Sequence, residues 1–175
     1  MAGRGVAERE ATAWEVAASV PDPELPWLTV ADLGILRQVR AGGAGVVVTV
    51  TPTYSGCPAL PEMMRAVRDR LVSAGLGPVE LSVALSPPWT TDWITEEGRR
   101  KLAAAGVAPP GPAAVARGPG QAVPVTLAAP VSRAVPCPQC GSGDTVELSR
   151  FGATACRALY RCRSCLEPFD HVRPL

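Results

Sequence analysis

Five of the six cysteines lie near the C-terminus, and four of them form two short pairs. Cys137-Pro-Gln-Cys140 and Cys162-Arg-Ser-Cys165 are separated by residues 141–161. Two residues between cysteines allow a tight turn that directs both sulfurs at one ion, so two such turns supply four thiolates to a tetrahedral site. The spacing therefore predicts a zinc ribbon, although iron could occupy the same four-sulfur site.

The segment around these cysteines, residues 135–175, is too short to be stabilised by apolar burial alone. We expect metal binding to supply its folding free energy, on the order of 10 kcal/mol. Four cysteines close the coordination sphere, so the metal is expected to be structural. The residue pattern predicts strands at 145–149, 157–161 and 167–172.

Two further residues of this segment allow more than one interpretation. Cys156 precedes Cys162 by six positions, which places it roughly 20 Å away along a strand, too far to bind the same ion. We interpret it as a small buried residue, with a redox or cluster-transfer thiol as the alternative. His171, the only histidine, follows the last cysteine pair on an expected edge strand, and we expect it at the surface.

Cys57 stands alone in a loop, Thr51–Pro58, that joins a predicted buried strand to a predicted amphipathic helix. Pro58 suits the first position of a helix, which would place Cys57 at or near the N-cap. There the free backbone N–H groups and the helix dipole would lower the pKa of its thiol. The alternative is an ordinary strand-to-helix turn in which the cysteine has no role.

Composition excludes several classes of protein. Hydrophobic residues make up 47% of the 175, charged residues 19%, and the net charge is +1. This balance argues against disorder and against a strongly basic nucleic-acid binder. We find no apolar run of roughly 20 residues and no secretory signal at the start, so a cytoplasmic protein without a membrane span is expected.

The pattern along the chain predicts an α+β protein with two domains. Residues 1–106 contain helices at 8–20, 59–74 and 95–105 and strands at 35–40, 46–51 and 79–85, with the helices on one face of a small mixed sheet. Residues 107–134 are rich in Pro, Ala and Gly, a composition typical of a linker. Residues 135–175 form the ribbon.

Stretches of both domains resemble known families. Asp22-Pro-Glu-Leu-Pro, followed by Leu28-Thr-Val and Asp32-Leu-Gly-Ile, resembles the signature of the SufT-like, MIP-eighteen-type domains linked to iron–sulfur assembly. The loop Thr51–Pro58, together with the ending Cys162-Arg-Ser-Cys-Leu-Glu-Pro-Phe-Asp, is similar to the PaaD-like family of phenylacetate degradation. The likeness covers nearly the whole chain apart from the linker.

The resemblance implies a non-catalytic accessory subunit of the multicomponent oxygenase that epoxidises the ring of phenylacetyl-CoA. The implied partners are the other subunits or the reductase of that epoxidase, and the implied task is assembly of an iron–sulfur or di-iron centre. The cysteine and aspartate of the family correspond to Cys57, where an iron or iron–sulfur species would bind transiently, and to Asp22, which would be a second ligand or a proton acceptor.

Two other functions remain open at this stage. A nucleic-acid-binding ribbon would use a basic face, whose candidate residues are Arg150, Arg157, Arg161, Arg163 and Arg173. Such arginines are more often solvated, so nucleic acid is not expected as a partner. A rubredoxin-like electron carrier would hold iron at the four cysteines.

Overall fold

The computed structural model describes residues 2–42, 44–113 and 134–175, which divide into two compact units, Met1–Leu102 and Ala103–Leu175. Each unit contains one three-stranded sheet, and the helices precede the second sheet in the chain. The predicted α+β class is therefore confirmed. No helix in the described parts of the chain has the length and apolar character needed to cross a membrane.

In the N-terminal unit, the first two helices pack against each other and against a mixed sheet with strand order β1-β2-β3. Strands β1 and β2 are antiparallel, whereas β2 and β3 are parallel and are connected through α2. The elements are α1 (Ala2–Ala18), β1 (Leu36–Gly42), β2 (Gly45–Val50), α2 (Leu60–Ser73), β3 (Val79–Val83), a 3₁₀ turn (Thr91–Trp93) and α3 (Glu96–Ala104).

Alternation along β2 explains why one face of this sheet is covered. Val46, Val48 and Val50 are buried, whereas Val47 points to the opposite, exposed face. On α2, Met63, Val67 and Leu71 recur at helical spacing and are buried. The periodicity that predicted these elements therefore also identified their core faces.

The start of α1 was predicted wrongly. The helix begins at Ala2 rather than at residue 8. Glycines at positions 3 and 5 weaken the helical signal of this stretch, because glycine has a low helix propensity. The helix ends at Ala18, two residues before the predicted end at residue 20.

The C-terminal unit is an antiparallel sheet in the order β4-β5-β6. Its strands are β4 (Thr145–Ser149), β5 (Arg157–Cys162) and β6 (Pro168–Val172). Ala108, which the sequence places in the linker, extends this sheet: its N–H donates to Asp170 at 2.8 Å, and its C=O accepts from Val172 at 3.0 Å. Of the predicted linker, residues 114–133 lie outside the described residues.

The surface position predicted for His171 is wrong. Its side chain belongs to β6 but only 6% of the residue is exposed. Ala108 lies against the outer edge of the strand at this residue, and the ring of Tyr160 packs edge-on against the imidazole at 5.3 Å. The pKa of His171 is lowered by this burial, while the charge of Glu147 partly opposes the shift.

Candidate metal centre and thiol loop

The two cysteine pairs of the ribbon meet in space. The sulfurs of Cys137, Cys140, Cys162 and Cys165 all lie within 4.8 Å of one another. The pairs Cys137–Cys165 and Cys140–Cys162 are each 3.6 Å apart. Tetrahedral zinc with bonds of roughly 2.3 Å to sulfur spaces its ligands about 3.8 Å apart, so the separations of the four sulfurs suit one such ion.

Backbone amides prepare one of these sulfurs for metal binding. The N–H of Cys165 donates to Sγ of Cys162 at 3.5 Å. This bond and a further one from the N–H of Ser164 stabilise the thiolate, and they outweigh the opposite effect of burial. The pKa of Cys162 is therefore lowered to about 6. A thiolate is the form that binds metal. The CxxC turn therefore both aims the sulfur and favours its ionised form.

Burial differs between the members of the cluster. Cys137 and Cys162 are buried, Cys165 is half-buried and Cys140 is exposed. The buried members join the apolar core of the ribbon, in which the rings of Tyr160 and Phe169 stack at 5.8 Å. A metal bound here would tie both turns to that core, and the four sulfurs would leave no position open for a substrate.

Cys156 lies outside this cluster. It precedes β5 in the loop from β4, not on a strand, and its half-buried thiol lies 3.1 Å from the hydroxyl of Thr154. Its C=O accepts from Arg173 N–H at 2.9 Å, which fastens the loop to the chain beyond β6. Within the described residues, the four ribbon cysteines form the one group of three or more possible metal ligands.

Cys57 is half-buried and occupies the turn that leads into α2. The helix starts later than the sequence suggested, because its N-cap is Ala59 and its early proline is Pro61. The C=O of Cys57 accepts the N–H of Leu60 at 3.3 Å. The thiol therefore belongs to a residue two positions before the cap, in a turn that precedes the first helical turn.

Asp22 is buried and organises the loop that resembles the SufT-like signature. Its Oδ1 accepts the N–H groups of Glu24 at 2.9 Å and Leu25 at 2.8 Å. Its other carboxylate oxygen accepts no hydrogen bond from the described residues. The loop thus holds the side chain in one orientation while leaving one oxygen available.

Asp32 is a structural residue whose role the sequence did not reveal. The N–H of Thr29 donates to the carboxylate of Asp32 at 2.9 Å, and the N–H of Asp32 donates to the hydroxyl of Thr29 at 3.1 Å. This reciprocal pair has the form of a capping box. Asp32 also binds Lys101 on α3, and Trp89 donates its indole N–H to Leu33 at 2.9 Å. The Asp-Leu-Gly stretch is therefore a docking point for residues 89–101.

Comparisons with known proteins agree with this two-part architecture. Residues 10–83 match the model of an iron–sulfur cluster assembly protein, and residues 121–173 match that of a PaaD zinc beta ribbon domain. A crystal structure of a domain of unknown function, DUF59, from Bacillus anthracis has the same fold over 57% of this chain and 96% of that one, with a TM-score of 0.54 at 24% identity.

Two curated relatives are similar in sequence. The Staphylococcus aureus (strain USA300) protein "Fe-S protein maturation auxiliary factor SufT" is 32% identical over 47% of this chain and 96% of its own. An Escherichia coli (strain K12) protein, named as one of the subunits of a "Putative 1,2-phenylacetyl-CoA epoxidase", is 43% identical over 91% of this chain and 90% of its own.

Fold and site together define an iron–sulfur assembly-type domain followed by a four-cysteine β-ribbon. Because the second relative is similar over almost its full length, the chain belongs to the PaaD family.

Proposed function

We propose that this protein is a cytoplasmic, non-catalytic accessory factor of the multicomponent phenylacetyl-CoA ring epoxidase, and that it assists assembly of a metal centre in that enzyme. The observation that carries the proposal is the 43% identity with the Escherichia coli relative, named as an epoxidase subunit, which extends over 91% of the chain. The match of residues 10–83 to an iron–sulfur assembly domain supports maturation as the task.

In this proposal the two units have different tasks. The ribbon holds one zinc ion through Cys137, Cys140, Cys162 and Cys165 and serves as a docking module for an epoxidase subunit or its reductase. The closed four-sulfur arrangement favours a structural ion over one that is handed on. Transfer of metal is then a task for the N-terminal unit.

Cys57 is the proposed carrier of the transferred iron or iron–sulfur species. A thiolate suits soft and borderline metals, and a site with few protein ligands releases its metal readily. Asp22 is the proposed second ligand, and its oxygen without a hydrogen bond from the described residues supports that role. The turn around Cys57 keeps the thiol half-buried, which limits its access to bulk solvent while leaving it reachable.

Cells carrying Cys57→Ser test the transfer role. We expect poor growth on phenylacetate and an epoxidase that assembles but contains little iron, while the variant accumulates as the wild type does. Cys156→Ser, which also removes a half-buried thiol, is the matched control and should leave growth and iron content unchanged. Normal growth with a fully loaded epoxidase would reject transfer through Cys57.

Metal analysis of the purified protein tests the ribbon separately. One zinc per chain in a colourless protein is expected, and the colour and absorption of an iron–thiolate site would instead support an electron carrier. Because this measurement does not depend on Cys57, failure of one assignment leaves the other intact.

A further inference from the structure

The two edges of the N-terminal sheet differ in whether another element covers them. Strand order makes β1 and β3 the edge strands. On the β1 side, α1 packs against the strand, and the outward N–H of Ala41 donates to Glu10 Oε2 of that helix at 3.1 Å. Covering an edge in this way satisfies its backbone groups and prevents pairing with another chain.

The outer edge of β3 has no such cover among the described residues. At the two ends of the β2–β3 pairing, the C=O of Pro78 and the N–H of Ala84 bond to β2. Since successive residues of a strand direct their backbone groups to opposite sides, the N–H and C=O groups of Val79, Leu81 and Val83 point outward. These groups have no hydrogen-bond partner in the part of the chain that the structure describes.

Exposed apolar side chains accompany this open edge. Val83 is 43% exposed and Leu85, which continues the same alternation, is 59% exposed. On α2, Val72 is 53% exposed, and its Cγ2 would lie 3.8 Å from a Cβ at Gly77, two residues before the strand. Apolar surface therefore stands at both ends of β3.

We propose that two copies of this chain pair antiparallel through β3, with the two-fold axis at Leu81, and so form one six-stranded sheet. In this register Leu81 faces Leu81 of the second copy, and Val79 faces Val83. Each of these facing pairs exchanges both N–H···O bonds, so three donors from each copy make a ladder of six hydrogen bonds.

In this register the charged side chains and the apolar ends of the two edges are compatible with each other. With the axis at Leu81, Glu80 faces Ser82 of the second copy, so the two carboxylates are not directly opposite each other, an arrangement that would be destabilising. The same register brings Gly77 opposite Leu85, and thus Val72 of one copy beside Leu85 of the other. The two-fold arrangement therefore brings the apolar surface at each end of one edge against apolar surface of the other copy.

Proline limits this pairing to one short stretch. Pro87, an odd-numbered position like the outward residues of β3, lacks the N–H group that a longer ladder would need. Strand β3 itself, Val79–Val83, is centred on Leu81, which favours the proposed register over shifted ones. An unrelated strand would satisfy the hydrogen bonds, but it would not by itself supply apolar side chains at both matching ends.

Sedimentation of the full-length, zinc-loaded protein over a range of concentrations tests the proposal. We expect a reversible dimer. Val83→Lys should raise its dissociation constant by roughly tenfold or more, since each substitution acts twice in a two-fold dimer. Val47→Lys is the matched control, because Val47 is a similarly exposed valine on the central strand of the same sheet, and it should leave the dissociation constant unchanged.

Cross-linking tests the register. A hydrogen-bonded antiparallel pair has Cα atoms about 5.5 Å apart, within the range of a disulfide, so Leu81→Cys treated with a mild thiol oxidant should give a covalent dimer joined through position 81. Val83→Cys should not, because equivalent positions 83 are roughly 13 Å apart along the strands in this register. A monomer at all concentrations, or a dimer unaffected by Val83→Lys and not cross-linked at position 81, would overturn the proposal.

Discussion

The carboxylate of Asp32 lies 2.7 Å from the ammonium group of Lys101, and this ion pair joins positions 69 residues apart in the chain. The side chains are 10% and 31% exposed respectively, so the pair is partly shielded from water. It fastens α3 to the loop that carries the SufT-like signature. Signature residues of this loop therefore serve the fold directly, in addition to any role in metal transfer.

Lys101→Ala should lower the free energy of unfolding of the N-terminal unit by about 1–2 kcal/mol, because the buried Asp32 carboxylate loses its charged donor. Arg100→Ala is the matched control on the same helix: Arg100 pairs with Glu97 at 2.6 Å, but both side chains are about half exposed or more, and a loss below about 0.5 kcal/mol is expected. Urea unfolding followed by tryptophan fluorescence measures both. Equal losses in the two variants would contradict the special role of the Asp32 pair.

Acid should weaken the same unit through Asp32. Burial alone would raise the pKa of this carboxyl group, but the hydrogen bonds from Lys101 and Thr29 outweigh burial and hold the pKa below its ordinary value. The unfolded chain then binds the proton more readily, so the contribution of Asp32 is present near neutral pH and is lost as pH falls below about 4. Urea midpoints at several pH values should fall less steeply in Asp32→Asn than in the wild type; identical slopes would refute this.

Periodicity explains why much of the fold was predictable. The alternating valines of β2 and the apolar stripe of α2 each encode both an element and its buried face. The four ribbon cysteines were equally predictable, because the CxxC spacing contains the local geometry that directs two sulfurs at one point.

The remaining features depend on contacts between distant residues. Burial of His171 requires Ala108 at the outer edge of β6, and no local pattern signals that pairing. The ion pair between Asp32 and Lys101 could not be predicted either, because the two residues are far apart in the sequence. Asp22 is different, since an aspartate followed by proline and glutamate is a turn signal, and its bonds to the next amides could have been foreseen.

Cys162→Ser should abolish zinc binding and unfold the ribbon while the N-terminal unit stays folded. Its sulfur is buried within the cluster, and the metal is expected to supply most of the folding free energy of this small unit. Cys156→Ser should retain one zinc, since Cys156 lies outside the cluster. Zinc content and far-ultraviolet circular dichroism measure the two effects. Stoichiometric zinc in Cys162→Ser would disprove the ligand assignment.

Cys57 should be the first thiol to react with limiting iodoacetamide in the zinc-loaded protein. It is half-buried in a turn that precedes a helix, whereas metal would protect the ribbon sulfurs. Cys156 is half-buried as well but does not precede a helix, so the expected advantage of Cys57 comes from its position before α2. Mass spectrometry of the early products identifies the labelled site, and faster labelling of Cys156 would overturn the order.

Two glycines with nearly equal backbone conformations should differ in their tolerance of a side chain. Gly34 in the Asp-Leu-Gly stretch has φ of 67°, and Gly75 at the end of α2 has φ of 75°. A Cβ at Gly34 would overlap the backbone and side chain of Trp93, whereas a Cβ at Gly75 would meet open space. Both alanine variants introduce similar backbone strain, so the difference between their losses of unfolding free energy measures the effect of crowding at Gly34.

Gly75→Ala should cost about 1 kcal/mol, the strain of a left-handed conformation in a residue with a Cβ. Gly34→Ala should cost about 3 kcal/mol or more, because the 3₁₀ turn that carries Trp93 must also move away. That movement should further disturb Arg37, whose guanidinium carbon lies 3.5 Å from the centre of the Trp93 ring. Urea unfolding with tryptophan fluorescence measures both costs; equal losses would mean that close packing against Trp93 is not what requires glycine at position 34.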